Sequence, residues 1–83
     1  MSSIKILKCF CYYDYYLSGL CEWNREARYF VWTDDLAGEM EYSVFDIDYE
    51  PPSWDWLIEN KVAVLGKFSS ANADFSLLRN ENE

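Results

Sequence analysis

Apolar positions in the first half of the chain follow the pattern of β-strands separated by short turns. Ile4 to Tyr13 is dominated by β-branched, aromatic and Cys residues and predicts a first strand. The stretch Asp14 to Gly19 holds the turn formers Asp14, Ser18 and Gly19, so the chain is expected to reverse there before a second strand over Leu20 to Trp23. Asn24-Arg25-Glu26 then makes a short polar connection to a third strand, Ala27 to Thr33, in the pattern of a tight hairpin. In that strand Tyr29, Val31 and Thr33 point one way and Phe30 and Trp32 the other, so both faces carry bulk and a central position is expected.

The fourth segment changes phase. Met40, Tyr42 and Val44 alternate with Glu39, Glu41 and Ser43, whereas Phe45, Ile47 and Tyr49 alternate with Asp46, Asp48 and Glu50. Because side chains in a strand alternate with a period of two, keeping all these apolar residues on one face requires a β-bulge, expected at Ser43 to Phe45. Glu39, Glu41, Asp46, Asp48 and Glu50 would then share the solvent side, with Asp34 and Asp35 in the preceding loop.

Pro51-Pro52 stops the strand, and Ser53 is an N-cap candidate with Asp55 in the first turn, favourable to the helix dipole. Trp54, Leu57, Ile58, Lys61, Leu65 and Phe68 fall on one stripe at spacings of three and four, which predicts a helix packed across the sheet. A competing reading ends the helix at Asn60, as a left-handed cap, and makes Val62 to Leu65 a fifth strand, since Val62 and Val64 are β-branched. The expected architecture is α+β: a single small domain over residues 1–78, an antiparallel four-stranded meander, with the fifth strand left open, and one C-terminal helix on the sheet. Residues 79–83 are expected to be a frayed acidic tail.

Composition turns this outline toward function. An 83-residue domain buries only about 60 to 65% of its unfolded surface, and the four Trp, seven Tyr and five Phe supply a dense core for it. The formal net charge is −8, and between Tyr29 and Asn60 there are nine carboxylates and no Lys or Arg. Tyr29, Phe30, Trp32, Tyr42, Phe45, Tyr49, Trp54 and Trp56 share that segment, so it is apolar enough to fold, unlike a disordered acidic tail. Such charge opposes direct contact with nucleic acid or an anionic membrane, because phosphate neutralisation needs clustered cations. A plainer alternative is that acidity only keeps an aromatic-rich protein soluble.

Candidate chemistry is sparse. The chain has no His, which removes the commonest general base and the Ser-His and Cys-His nucleophile systems. Cys9 and Cys11 are expected on one strand face, about 7 Å apart, with Cys21 on the neighbouring strand. Three thiols make an incomplete zinc site and read as small buried hydrophobes. Gly19, Gly38 and Gly66 have no phosphate-cradling spacing. No enzyme activity, cofactor or metal is therefore expected. Lys8 interrupts the apolar stretch that starts at Ile4, so no signal peptide is expected and a reducing cytosol is the simpler compartment, the host cytoplasm if the chain is phage-encoded. The sequence leaves the oligomeric state open.

The block Tyr12, Tyr13, Asp14, Tyr15, Tyr16 reads either as a strand end whose alternate tyrosines pack inward or as an interface patch, since Tyr offers large contact area with few rotors. Of Trp54 and Trp56, one is expected in the core and the other exposed as an anchor. The candidate partner-binding set is Glu39, Glu41, Asp46, Asp48 and Glu50, with Asp34, Asp35, Tyr13, Tyr15 and Trp56.

Tyr12-Tyr13-Asp14, Leu17-Ser18-Gly19, Trp23-Asn24 and Tyr29-Phe30 together resemble a small uncharacterised bacterial and phage domain, over about residues 12–32. Tyr16 stands where that pattern has Pro, and Arg25 where it has Gly. The resemblance implies no activity. In size and charge alone the chain is similar to phage anti-defence inhibitors, including anti-CRISPR proteins and other DNA mimics, and to acidic immunity proteins that neutralise nuclease toxins.

Carboxylates at i and i+2 of a strand lie about 6.6 to 6.8 Å apart, roughly twice the 3.4 Å spacing of charges along one DNA strand, so a row of them can stand in for phosphates. The leading expectation is an inhibitor that docks its acidic face on a basic, nucleic-acid-binding surface of a partner protein. An immunity or antitoxin protein directed at a basic nuclease toxin is the second. A small structural or assembly protein using the Tyr12 to Tyr16 patch is the third.

Overall fold

The structure, a computed structural model, describes residues 3–81. Strands β1 (Ile4–Tyr13), β2 (Tyr15–Trp23), β3 (Glu26–Leu36) and β4 (Glu39–Phe45) are followed by helix α1 (Trp54–Glu59) and strand β5 (Val64–Ser69). A single 3-10 turn at Ser70–Asn72 leads to the short strand β6 (Ala73–Asp74) and helix α2 (Ser76–Glu81). The six strands form one sheet in the order β5-β4-β3-β2-β1-β6, antiparallel throughout except for β6, which runs parallel to β1. The fold is thus mostly β, with two short helices, where a four-stranded meander and one longer helix were expected. The long helix does not form. Lys61 adopts a left-handed conformation (φ 52°) and the chain turns into β5, as in the competing reading, though β5 starts at Val64 and runs to Ser69. Ser53 does cap α1, its hydroxyl accepting from the Trp56 N–H at 3.2 Å.

Turn chemistry explains the meander. Asn24 and Arg25 both have positive φ, as do Ala37 and Gly38, and these pairs are two-residue turns of the primed type that match strand twist. Asp14 alone reverses the chain between β1 and β2, with Tyr13 opposite Tyr15. The expected turn through Ser18 and Gly19 is instead buried strand. Gly19 is needed there because a Cβ would sit 1.9 Å from the Lys8 carbonyl oxygen of β1. Asp34 and Asp35 likewise belong to β3 and pair with Glu41 and Met40 of β4, so they are not in a loop.

The sheet curls so that both of its faces are covered. On one side Ile6, Cys21, Phe30, Tyr42, Val44, Phe68 and Leu78 form a buried cluster beneath α2. On the other, Leu57 of α1 is buried against Tyr29 and Phe45. This resolves the phase change in β4. Pairing with β3 runs without interruption from Tyr42 to Phe45, so Val44 and Phe45 point to opposite faces, and each enters a different cluster. An irregularity does fall between Val44 and Phe45, on the side facing β5, but its extra residue is Leu65 of β5 and the phase of β4 is not reset. The strand itself ends at Phe45, not Glu50. At the other end of the chain α2 carries the backbone through Glu81, and the remainder of the expected tail, residues 82 and 83, lies outside the described residues.

Candidate functional site: a groove between two hairpin tips

Because the first four strands alternate in direction, the Asp14 turn and the Ala37-Gly38 turn lie at the same end of the sheet. Between them runs an open groove. One lobe, of about 180 Å³, is lined by Tyr12, Asp14, Tyr15, Tyr16 and Met40 among others. Tyr15, Gly38 and Met40 are shared with a second lobe of about 230 Å³, whose wall adds Trp32 and Asp35.

The floor is held by aromatic packing. Tyr16 stacks on Phe75 with ring centroids 4.5 Å apart and planes at 12°, and Tyr12 meets the Tyr16 ring edge-on at 4.9 Å. The Tyr42 hydroxyl donates to the Tyr16 carbonyl at 2.7 Å. Burial pushes the Tyr42 phenol up to about 12, with the nearby Cys9 adding to the shift, so it stays a donor at neutral pH. Along the rim Tyr12, Tyr15 and Trp32 are exposed, and Tyr13, beside them at the tip, is the most open of the four at 77%. The Trp32 indole N–H donates to the carbonyl of Asp34, which fixes the ring at the groove edge.

The segments that build this end, 12–16 and 32–41, carry Asp14, Asp34, Asp35, Glu39 and Glu41 and no Lys or Arg. Among the described residues the ion pairs are Arg28 with Glu26 and Asp46, and Lys67 with Glu41. Asp14, Asp34 and Asp35 are exposed and take part in none of them.

The structure therefore divides the sequence-predicted set. Tyr13, Tyr15, Asp34 and Asp35 share the hairpin end, with Asp35 on the groove face beside Met40 and Asp34 on the reverse face opposite Glu41. Glu39 and Glu41 stand beside this end but turn toward β5, where the Ser69 hydroxyl donates to Glu39 at 2.7 Å and Lys67 lies 3.5 Å from Glu41. Asp46 lies on the opposite face from Glu41, 3.3 Å from Arg28, and about 23 Å along the strand direction from Glu39. Asp48 and Glu50 follow it, beyond the end of β4. The expected single acidic strand face, with its phosphate-like spacing, is not formed, because β4 keeps its alternation through Val44 and Phe45. Trp56 packs against the α1 cluster and the Tyr49 ring, whereas Trp54 is the half-exposed tryptophan of the pair.

Cys21 is a buried residue on the neighbouring strand as expected, whereas Cys9 and Cys11 differ from expectation. A register shift separates Cys9 from Cys11, which breaks the alternation that would place both on one face. Cys9 is half-buried with its thiol against the Cys11 carbonyl at 3.3 Å, Cys11 is exposed, and Cys21 lies in the core, where burial pushes its thiol up to about 12. A thiol in that range is a poor nucleophile at neutral pH.

Sequence reasoning missed Trp32 and Phe75 as parts of the groove. Their signal was topological: Trp32 lies near the second hairpin tip, and a meander brings that tip beside the tyrosine block. No protein-family model matches this chain, and neither does any curated protein or solved structure. Among the described residues no helix is long and apolar enough to cross a membrane.

Proposed function

We propose that the chain is an acidic protein-binding inhibitor that occupies a basic, nucleic-acid-binding site on a partner protein, an anti-defence function of the anti-CRISPR kind. The observation that carries this reading is the hairpin end, where exposed Asp14, Asp34 and Asp35 stand among exposed Tyr12, Tyr13, Tyr15 and Trp32 with no Lys or Arg in either tip segment. Carboxylates of one sign raise the encounter rate with a cationic surface and reject anionic ones. Rigid aromatics then supply contact area at little entropic cost, as in binding hot spots. A surface acidic only for solubility needs no such aromatics beside its charges.

The test is competition. The partner captured from host lysate at low salt is identified, and its nucleic-acid binding is measured with and without this chain. Mutual exclusion is the expected result. A partner that binds the chain and its nucleic acid together overturns the reading.

A further inference from the structure

We propose that the groove between the hairpin tips is a receptor for one arginine side chain of the partner. This deepens the functional reading and rests on it, since it takes the partner surface to be basic. The groove consists of two small lobes, of about 180 and 230 Å³, that meet at Tyr15, Gly38 and Met40.

The wall chemistry selects the charge and shape of the occupant. Tyr12, Tyr15 and Trp32 offer ring faces or edges, and each lobe has one carboxylate, Asp14 in the first and Asp35 in the second. An anion is repelled there, and an apolar side chain leaves a carboxylate to be desolvated without a partner. A cation meets both the ring quadrupoles and the acids. Guanidinium fits better than ammonium: it is planar and weakly hydrated, it stacks on aromatic faces, and its fork donates two parallel hydrogen bonds to a carboxylate.

The site is also held in place before anything binds. The Tyr16 ring is stacked on Phe75, its backbone carbonyl accepts from the Tyr42 hydroxyl, and the Trp32 indole is tied to the Asp34 carbonyl, so the floor and one wall are fixed in advance.

The experiment titrates the full chain with an acetylated hexa-arginine peptide and with hexa-lysine, by calorimetry and by the NMR shift of the Trp32 indole proton. Hexa-arginine should bind at least about fivefold tighter than hexa-lysine and move the Trp32 signal. Tyr15→Leu and Asp35→Asn, both at exposed positions, should each weaken hexa-arginine binding about fivefold, while Asp48→Asn leaves it within about twofold. Equal binding of the two peptides, or losses no larger than that of Asp48→Asn, overturns the arginine site. If those losses are absent yet the chain still excludes nucleic acid from its natural partner, the groove inference falls and the inhibitor reading stands. Simultaneous binding of chain and nucleic acid to that partner removes the inhibitor reading whatever the peptides do.

Discussion

The Tyr42 hydroxyl donates to the Tyr16 carbonyl across 2.7 Å, which ties β4 to β2 over the intervening strand β3. Tyr42 is almost fully buried at the centre of the α2-side cluster, and Tyr16 forms the groove floor, so one hydrogen bond connects the core to the proposed site. Tyr42→Phe keeps the ring and removes the donor. It should lower stability by about 1 kcal/mol and loosen the Tyr12 to Tyr16 hairpin. Urea unfolding, with hydrogen exchange at that hairpin, checks both effects; an unchanged midpoint would show the bond to be energetically idle.

Close approach between backbones makes the glycines unequal. A Cβ at Gly19 would meet the Lys8 carbonyl oxygen at 1.9 Å, and backbone can yield only if β1 separates from β2. At Gly66 the nearest atoms, at 2.5 Å, belong to the Trp23 side chain and not to backbone. Gly19→Ala should therefore cost at least about 3 kcal/mol and Gly66→Ala about 1 kcal/mol, compared by thermal melts. Equal losses would contradict this account of the β1–β2 contact.

Stability should fall on the alkaline side. Burial pushes Cys21 from 9.0 to about 12 and Tyr42 from 10.0 to about 12, and it raises Cys9 and Tyr29 in the same direction. The folded state keeps protons that the unfolded chain releases, so this stabilisation is whole below pH 9 and disappears as pH rises toward 12. Melting temperatures at pH 8, 10 and 11 should decline progressively, and Tyr42→Phe should flatten the decline above about pH 10. A flat profile over that range would refute the assignment.

Helix α1 has only six residues, so its start matters. Ser53→Ala removes the acceptor for the Trp56 N–H and should cost about 1 kcal/mol, with the environment of Trp56 changing first. Near-ultraviolet circular dichroism reports the ring and urea titration the energy.

Local chemistry made parts of this fold legible. The Asn24-Arg25 turn, the Ser53 cap and the two-sided bulk of β3 follow from residue type and period alone. The faces of β4 did not, because an apolar phase change has two physical solutions, a bulge that preserves one buried face or a sheet buried on both. Choosing between them requires knowing that α1 and α2 cover opposite sides. Ser18 and Gly19 read as turn formers for a similar reason: the same small residues serve a close strand contact. As for the site, charge and aromaticity were visible as composition, but the acids were assigned to one strand. The tertiary arrangement instead places Asp46 opposite Glu41 and brings Asp14, Asp35, Tyr15 and Trp32 together.

Whether the acidity acts at the hairpin end or only as total charge is decided by two variants of equal net charge. In one, Asp14, Asp34 and Asp35 become Asn, which tolerates the left-handed conformation at position 14. In the other, Asp48 and Asp55 become Asn and Glu50 becomes Gln. The measurement is the concentration of each that displaces nucleic acid from the captured partner. A binding surface confined to the hairpin end predicts that the hairpin-end variant requires at least about tenfold more protein while the second stays within about twofold of the parent chain. Equal losses from both variants, or none from the first, would contradict it.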